Sequence, residues 1–179
     1  MANYCWNYAV LSGGKAALDE IQERFSKYND FNYFIHFGDY VLKKETPTNT
    51  EEYYLYGTKW WDFNVDERTD VTMTISGDSA WSPPLELLRQ MSEVYNITIE
   101  GEYAEPGMDF AGFFTCEDGC LNDNEMTYFE FQLEGDRNYA INEVIENLSY
   151  CGEEFNESEY PQLTQQEKEY IVEQLKERA

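Results

Sequence analysis

The chain has 179 residues, 42% of them apolar and 17% aromatic, which suits one compact domain with a sizeable core and argues against disorder of the whole. Its 36 acidic and 12 basic side chains leave a formal net charge of −24, which excludes charge-driven binding to nucleic-acid phosphate. No apolar run approaches the roughly 18 residues of a membrane span. No basic segment leads into an apolar stretch at the N-terminus, so no secretory signal is read and the cytosol is the expected compartment.

Tyr4 to Leu11 is aromatic and β-branched and runs into Ser12-Gly13-Gly14, which predicts a strand and a turn. From Lys15 to Tyr28 the residues Leu18, Ile21 and Phe25 recur at helical spacing, so a helix with one buried side is expected. The composition of Tyr33 to Leu42 reads as a strand, followed by a polar loop from Lys43 to Glu52. Tyr53 to Val65 and Asp70 to Ser76 also read as strands, with Gly77 to Trp81 as a loop and Ser82 as the cap of a helix that has Pro83 in its first turn. The apolar stripe of that helix is Leu87, Leu88, Met91, Val94 and Tyr95.

Ile97 to Tyr103 alternates Ile97, Ile99 and Tyr103 with Thr98, Glu100 and Glu102, a half-buried strand with carboxylates outward. Beyond Pro106-Gly107, Asp109 to Cys116 and Glu125 to Leu133 read as a strand pair linked across Glu117 to Asn124. Tyr139 to Leu148 is helical. Gln165 to Arg178 forms a last helix with a thin apolar stripe, opened by a Thr164/Glu167 capping box, and packing within the chain is the favoured role of that stripe over presentation to a partner. The order is α+β and fits a ferredoxin-like mixed or antiparallel sheet with helices on one face, an extra strand pair and C-terminal helices. The expected division is one domain over residues 1–150 and an acidic linker with a terminal helix over 151–179.

Cys5, Cys116, Cys120 and Cys151 include no Cys-x-x-Cys pair, and His36 is the sole histidine, so neither a metal nor a cofactor is expected. Cys116 and Cys120 could bridge across a turn, but reduced thiols suit the expected compartment better. Lys15 behind Gly13-Gly14 lacks Walker spacing, there is no nucleophile elbow, and Glu117, Asp118, Asn122, Asp123 and Glu125 lack EF-hand order. Enzymatic activity is disfavoured but left open.

Asn3-Tyr4-Cys5-Trp6-Asn7 with Ser12-Gly13, Gly57-Thr58-Lys59-Trp60-Trp61-Asp62, Ala80-Trp81-Ser82-Pro83-Pro84, and the stretch from Glu102 to Gly112 occur in this order. Together they resemble signatures of the YubB-like proteins, a ferredoxin-like family borne by phages and plasmids. The resemblance implies architecture, a mobile-element origin and a bacterial host cytosol, and it carries no reaction. Within the signatures Trp60, Trp61, Trp81 and Glu105 are the candidate pocket residues. Trp81 beside a helix N-terminus would favour an anion, while a tryptophan plugging the sheet edge is the structural alternative.

Charge is uneven along the chain. Residues 97–160 carry 17 acidic side chains and only one basic one, Arg137, for a net of −16, against −7 for residues 1–96 and −1 for residues 161–179. Glu100, Glu102, Glu130, Glu134, Glu153 and Glu154 are the candidate partner-binding residues, a carboxylate lattice facing a basic protein surface. With the family resemblance, this suggests an inhibitor that occupies a nucleic-acid-dependent host defence complex, such as a restriction or CRISPR effector, by acidic mimicry. A generic soluble interaction domain, or a small enzyme of unknown substrate, is the alternative.

Overall fold

The computed structural model describes residues 3–27, 34–46 and 55–178. They divide into two compact units, Met1–Glu125 and Met126–Ala179. The first unit contains β1 (Tyr4–Ser12), α1 (Lys15–Ser26), α2 (Phe34–Val41), β2 (Trp61–Arg68), β3 (Thr72–Ala80), α3 (Leu85–Tyr95), β4 (Thr98–Glu105), β5 (Phe110–Glu117) and β6 (Cys120–Met126, whose last residue falls beyond the division). The second contains α4 (Tyr128–Gly135), α5 (Arg137–Cys151) and α6 (Gln165–Arg178).

The sheet order is β2-β3-β1-β4-β5-β6, and its first four strands with their intervening helices reproduce the split βαβ arrangement of a ferredoxin-like domain. The fold class is therefore the one the sequence implies. The central strand β1 pairs antiparallel with β3 and β4, while β5 and β6 extend the sheet beyond β4. Strand alternation sends Cys5, Ala9 and Leu11 into a core shared with Leu18, Ile21 and Phe25 of α1, Phe37 of α2 and Leu87, Leu88 and Met91 of α3.

Several local expectations are corrected. The segment expected as a strand over Tyr33 to Leu42 is α2 across its described part, because Phe34, Phe37 and Val41 fall on one helical side and bury together. Tyr33 itself lies outside the described residues, as do Tyr53 and Tyr54 of the next expected strand and residues 47–52 of the loop before it. Only Trp61 onward is strand there; Tyr56 in the preceding turn is fully buried and its hydroxyl donates to Asp39 of α2. β3 runs through the expected loop to Ala80, since Ser79 and Ala80 complete its ladder with Cys5 and Tyr4. Ser82 does not cap α3. Its hydroxyl donates to the Gly57 carbonyl, and Pro84 holds the N-cap position.

The largest correction follows Glu117. A two-residue turn at Asp118-Gly119, both with positive φ (49° and 75°), closes a tight hairpin and starts β6 at Cys120. The expected strand over Glu125 to Leu133 is thus the end of β6 followed by a helix. Thr127 accepts from the Glu130 amide while the Glu130 carboxylate accepts from the Thr127 amide, a capping box that overrides the aromatic alternation of Phe129, Phe131 and Leu133.

The second unit has its own core of Leu133, Ala140, Ile141, Val144, Ile145, Leu163 and Ile171. The apolar stripe of α6 packs there through Ile171. Thr164 and Glu167 form the expected capping box, and Arg137 clasps the Glu167 carboxylate with Nη2 at 2.9 Å. That guanidinium and the cap lower the Glu167 pKa from 4.5 to about 2. A depressed carboxylate stabilises the fold above its unfolded pKa and loses that contribution as pH falls through the folded one. Glu167→Gln should therefore cost roughly 0.5–1 kcal/mol at pH 7 in urea unfolding. The gap from wild type should close between pH 4.5 and about 2.

Candidate functional site

The helices of the first unit bury one face of the sheet; the other face is set by the opposite alternation of β1. Tyr4, Trp6, Tyr8 and Val10 point outward, with Trp6 and Tyr8 stacked at 6.4 Å between ring centroids and 17° between planes. The ladder register then fixes their neighbours. Asp78 of β3 pairs with Trp6, Glu102 of β4 with Tyr8, Glu100 with Val10, and Asp62 of β2 pairs directly with Asp78. The outer face is an aromatic stripe flanked on both sides by carboxylates, spaced about 4.8 Å between strands and about 6.7 Å along them.

Lys59 aside, the basic side chains of this unit are spent elsewhere. Lys15, Arg24, Lys27, Lys43, Lys44, Arg68 and Arg89 each pair with a carboxylate carried by α1, α2, α3 or the β2–β3 turn. Asp62, Asp78, Glu100 and Glu102 form no ion pair among the described residues. Partial burial pushes the Glu102 carboxyl above the usual range.

The other expected partner-binding residues belong to the second unit. Glu130 and Glu134 stand one helical turn apart on α4, not along a strand, and Glu130 is engaged by Gln162 and by its capping box, which hold its pKa low. Glu153 and Glu154 are exposed and border a groove that Lys176 and Arg178 also line. Arg137, the one base of the acidic block, is committed to Glu167.

Of the four candidate pocket residues, Trp61 is fully buried in the core and Trp60 packs edge-on against Tyr4 at 5.5 Å. Trp81 and Glu105 occupy the helix-covered side. Trp81 has φ 72°, unusual for a bulky side chain, is partly exposed, and borders a cleft of about 440 Å³ between the start of α3 and strands β4 to β6. Tyr103 forms part of its wall and donates to Asp123 of β6 at 2.9 Å. It reaches there across Gly112 of β5, where a Cβ would meet the Tyr103 hydroxyl at 2.5 Å. Glu105 is buried, pairs in register with Phe110, and leaves Oε2 without a hydrogen-bond partner among the described residues. Asp123 reaches the cleft because the Asp118-Gly119 turn folds β6 back along β5, and that dipeptide is the one sequence signal that could have found it.

Among the described residues no group of three or more His, Cys, Asp or Glu side chains is placed to hold a metal ion, and no helix is long and apolar enough to cross a membrane. His36 is on the exposed side of α2. All four thiols are free.

Residues 59–147 match the family model of the ferredoxin-like domain in Api92-like protein. The crystal structure of protein api92 from Yersinia pseudotuberculosis is similar over 72% of this chain and 98% of that one, at 10% identity and a TM-score of 0.45. No curated protein matches the sequence. The family match supports the ferredoxin-like architecture and does not confirm the YubB-like assignment. What fold and family define together is an α+β protein with a ferredoxin-like domain similar to that of Api92-like proteins.

Two outcomes follow from the geometry. Burial raises the Cys5 and Cys116 thiols to about 12 while Cys120 and Cys151 are exposed, so a thiol reagent at pH 8 should label Cys120 and Cys151 in the native protein and all four in denaturant. Because folding raises the pKa of Glu102, its charge opposes the fold above that pKa. Glu102→Gln should leave stability at pH 7 equal or higher by up to about 0.5 kcal/mol in thermal unfolding.

Proposed function

We propose that the protein is an acidic binding module whose outer sheet face docks on a cationic protein surface. The observation that carries this reading is the segregation of charge in the first unit: its paired cations lie with the helical layer and the β2–β3 turn, and the carboxylates around Trp6 and Tyr8 form no ion pair among the described residues. Arginine and lysine side chains suit such a face twice over, by charge-assisted hydrogen bonds to Asp78, Glu100 and Glu102 and by resting on the indole and phenol rings. The same aromatics could stack nucleobases on a sheet, but the surrounding carboxylates repel phosphate, which favours a protein partner over nucleic acid.

The partner of this reading is a surface that otherwise holds nucleic acid, such as a host defence complex, and the carboxylate rows occupy it by mimicry in the manner of a phage- or plasmid-borne inhibitor. Duplex DNA presents one charge per roughly 1.7 Å of axis; carboxylates on neighbouring strands and adjoining turns supply a rigid, lower-density analogue. Partners captured from nuclease-treated bacterial lysate at low salt should be released at high salt and by competing duplex DNA. Trp6→Ala and the double change Glu100→Lys with Glu102→Lys should each weaken capture at least about tenfold. The pair Glu153→Lys with Glu154→Lys tests whether the second unit contributes. Capture unaffected by salt, DNA and the outer-face substitutions would refute the proposal.

A further inference from the structure

The cleft behind Trp81 lies on the opposite side of the sheet from the proposed docking face, and its chemistry is distinct. Trp81, Tyr103 and Phe110 give it aromatic walls, and Glu86, Asp123 and Glu125 give it carboxylates; no lysine or arginine is among its described lining residues. Glu86 is neutralised by Arg89 at 2.7 Å. Asp123 accepts one bond from Tyr103, leaving its other oxygen available, and Glu125 is exposed at the rim.

Two further acceptors lie on the strands behind the wall, outside the residues that line the cleft. Asn7 pairs in register with Tyr103 and Glu105 with Phe110; both are 4% exposed, and Asn7 Oδ1 and Glu105 Oε2 have no hydrogen-bond partner among the described residues. Asn7 directs its amide nitrogen the other way, to the Ser79 hydroxyl at 2.8 Å and the Cys5 carbonyl at 2.7 Å. Unpartnered buried acceptors are rare in native proteins. The start of α3 at the same cleft would by itself attract an anion. The carboxylates of β6 reverse that preference, because a full charge outweighs a half-charge helix end.

We infer that this cleft binds a small organic cation, a guanidinium or alkylammonium group that lies against the Trp81 indole and donates to Asp123 and Glu125. The volume of about 440 Å³ suits a ligand of that size. Trp81 is held at φ 72°, a conformation costly for tryptophan and natural for glycine. A ring kept there against backbone preference is one positioned for contact.

Calorimetric titration with agmatine, alongside the indole N–H signals of the 15N-labelled protein, tests this. Agmatine should bind saturably, shift the Trp81 indole resonance, and bind more weakly in high salt, whereas inorganic phosphate should not bind. Asp123→Asn should weaken agmatine about tenfold or more. Trp81→Gly should weaken it about tenfold while unfolding at the same temperature as wild type or higher, since it relieves the left-handed strain. Trp6→Ala should leave agmatine binding unchanged, which separates this site from the docking face. Absence of saturable agmatine binding, binding of phosphate in its place, or a Trp81→Gly variant that unfolds at markedly lower temperature with unchanged affinity would overturn the inference; the last would make Trp81 a plug of the sheet edge.

Discussion

Strand β1 is the constraint on which the first unit rests. It is paired on both sides over nearly its whole length, so its register fixes β3 and β4 and, through β4, β5. A slip of one residue would exchange the two faces and send Trp6 and Tyr8 into the core while exposing Leu11. The burial of Cys5, Ala9 and Leu11 against three helices makes that slip prohibitive, and the outward aromatics are held in place by the same contacts.

Charge follows this layering. The acidic residues of α1 and α3 have cations one turn away or on an adjoining loop, so the helical side is close to locally neutralised. The strands carry a single basic residue, Arg68, and it reaches back to Asp19 of α1. Directly opposed carboxylates such as Asp62 and Asp78 cost stability in an antiparallel pair. The edge strands gain something in return: Asp62, Asp66 and Glu67 on β2 and Asp123 and Glu125 on β6 discourage a further strand from adding, with a register shift between Val65 and Glu67 assisting at the first edge. Edge protection accounts for the outermost acids. It does not account for Glu100 and Glu102, which lie inside the sheet.

The sequence was most legible where one period dominated. Leu18, Ile21 and Phe25 specify α1 unambiguously, and Ile99 and Tyr103 specify the faces of β4. It misled where aromatic residues satisfied two periods at once. Phe34, Phe37 and Val41 fit a helix, yet the same segment has the composition of a strand, and only packing on the core decides. Near Thr127 the deciding signals are short and local, an Asp-Gly hairpin turn and a Thr-x-x-Glu box, set against a longer aromatic alternation of strand period. The carboxylate set divided for the same reason. Glu100 and Glu102 stand where strand periodicity puts them, whereas Glu130 and Glu134 are on a helix and one of them serves its cap.

The sign of the Trp81 cleft shows why a site cannot be read from one element. A helix start preceded by Ser-Pro-Pro points to an anion when only α3 is considered. The residues that reverse this, Asp123 and Glu125, arrive from a strand forty positions downstream that folds back through a two-residue turn. β4 then serves two chemistries by alternation alone, since Glu102 faces outward beside Tyr8 while the next residue, Tyr103, turns inward and ties Asp123 to the cleft. Because successive side chains of one strand belong to opposite faces, substitutions at Glu102 and at Asp123 act on separate surfaces of a shared sheet.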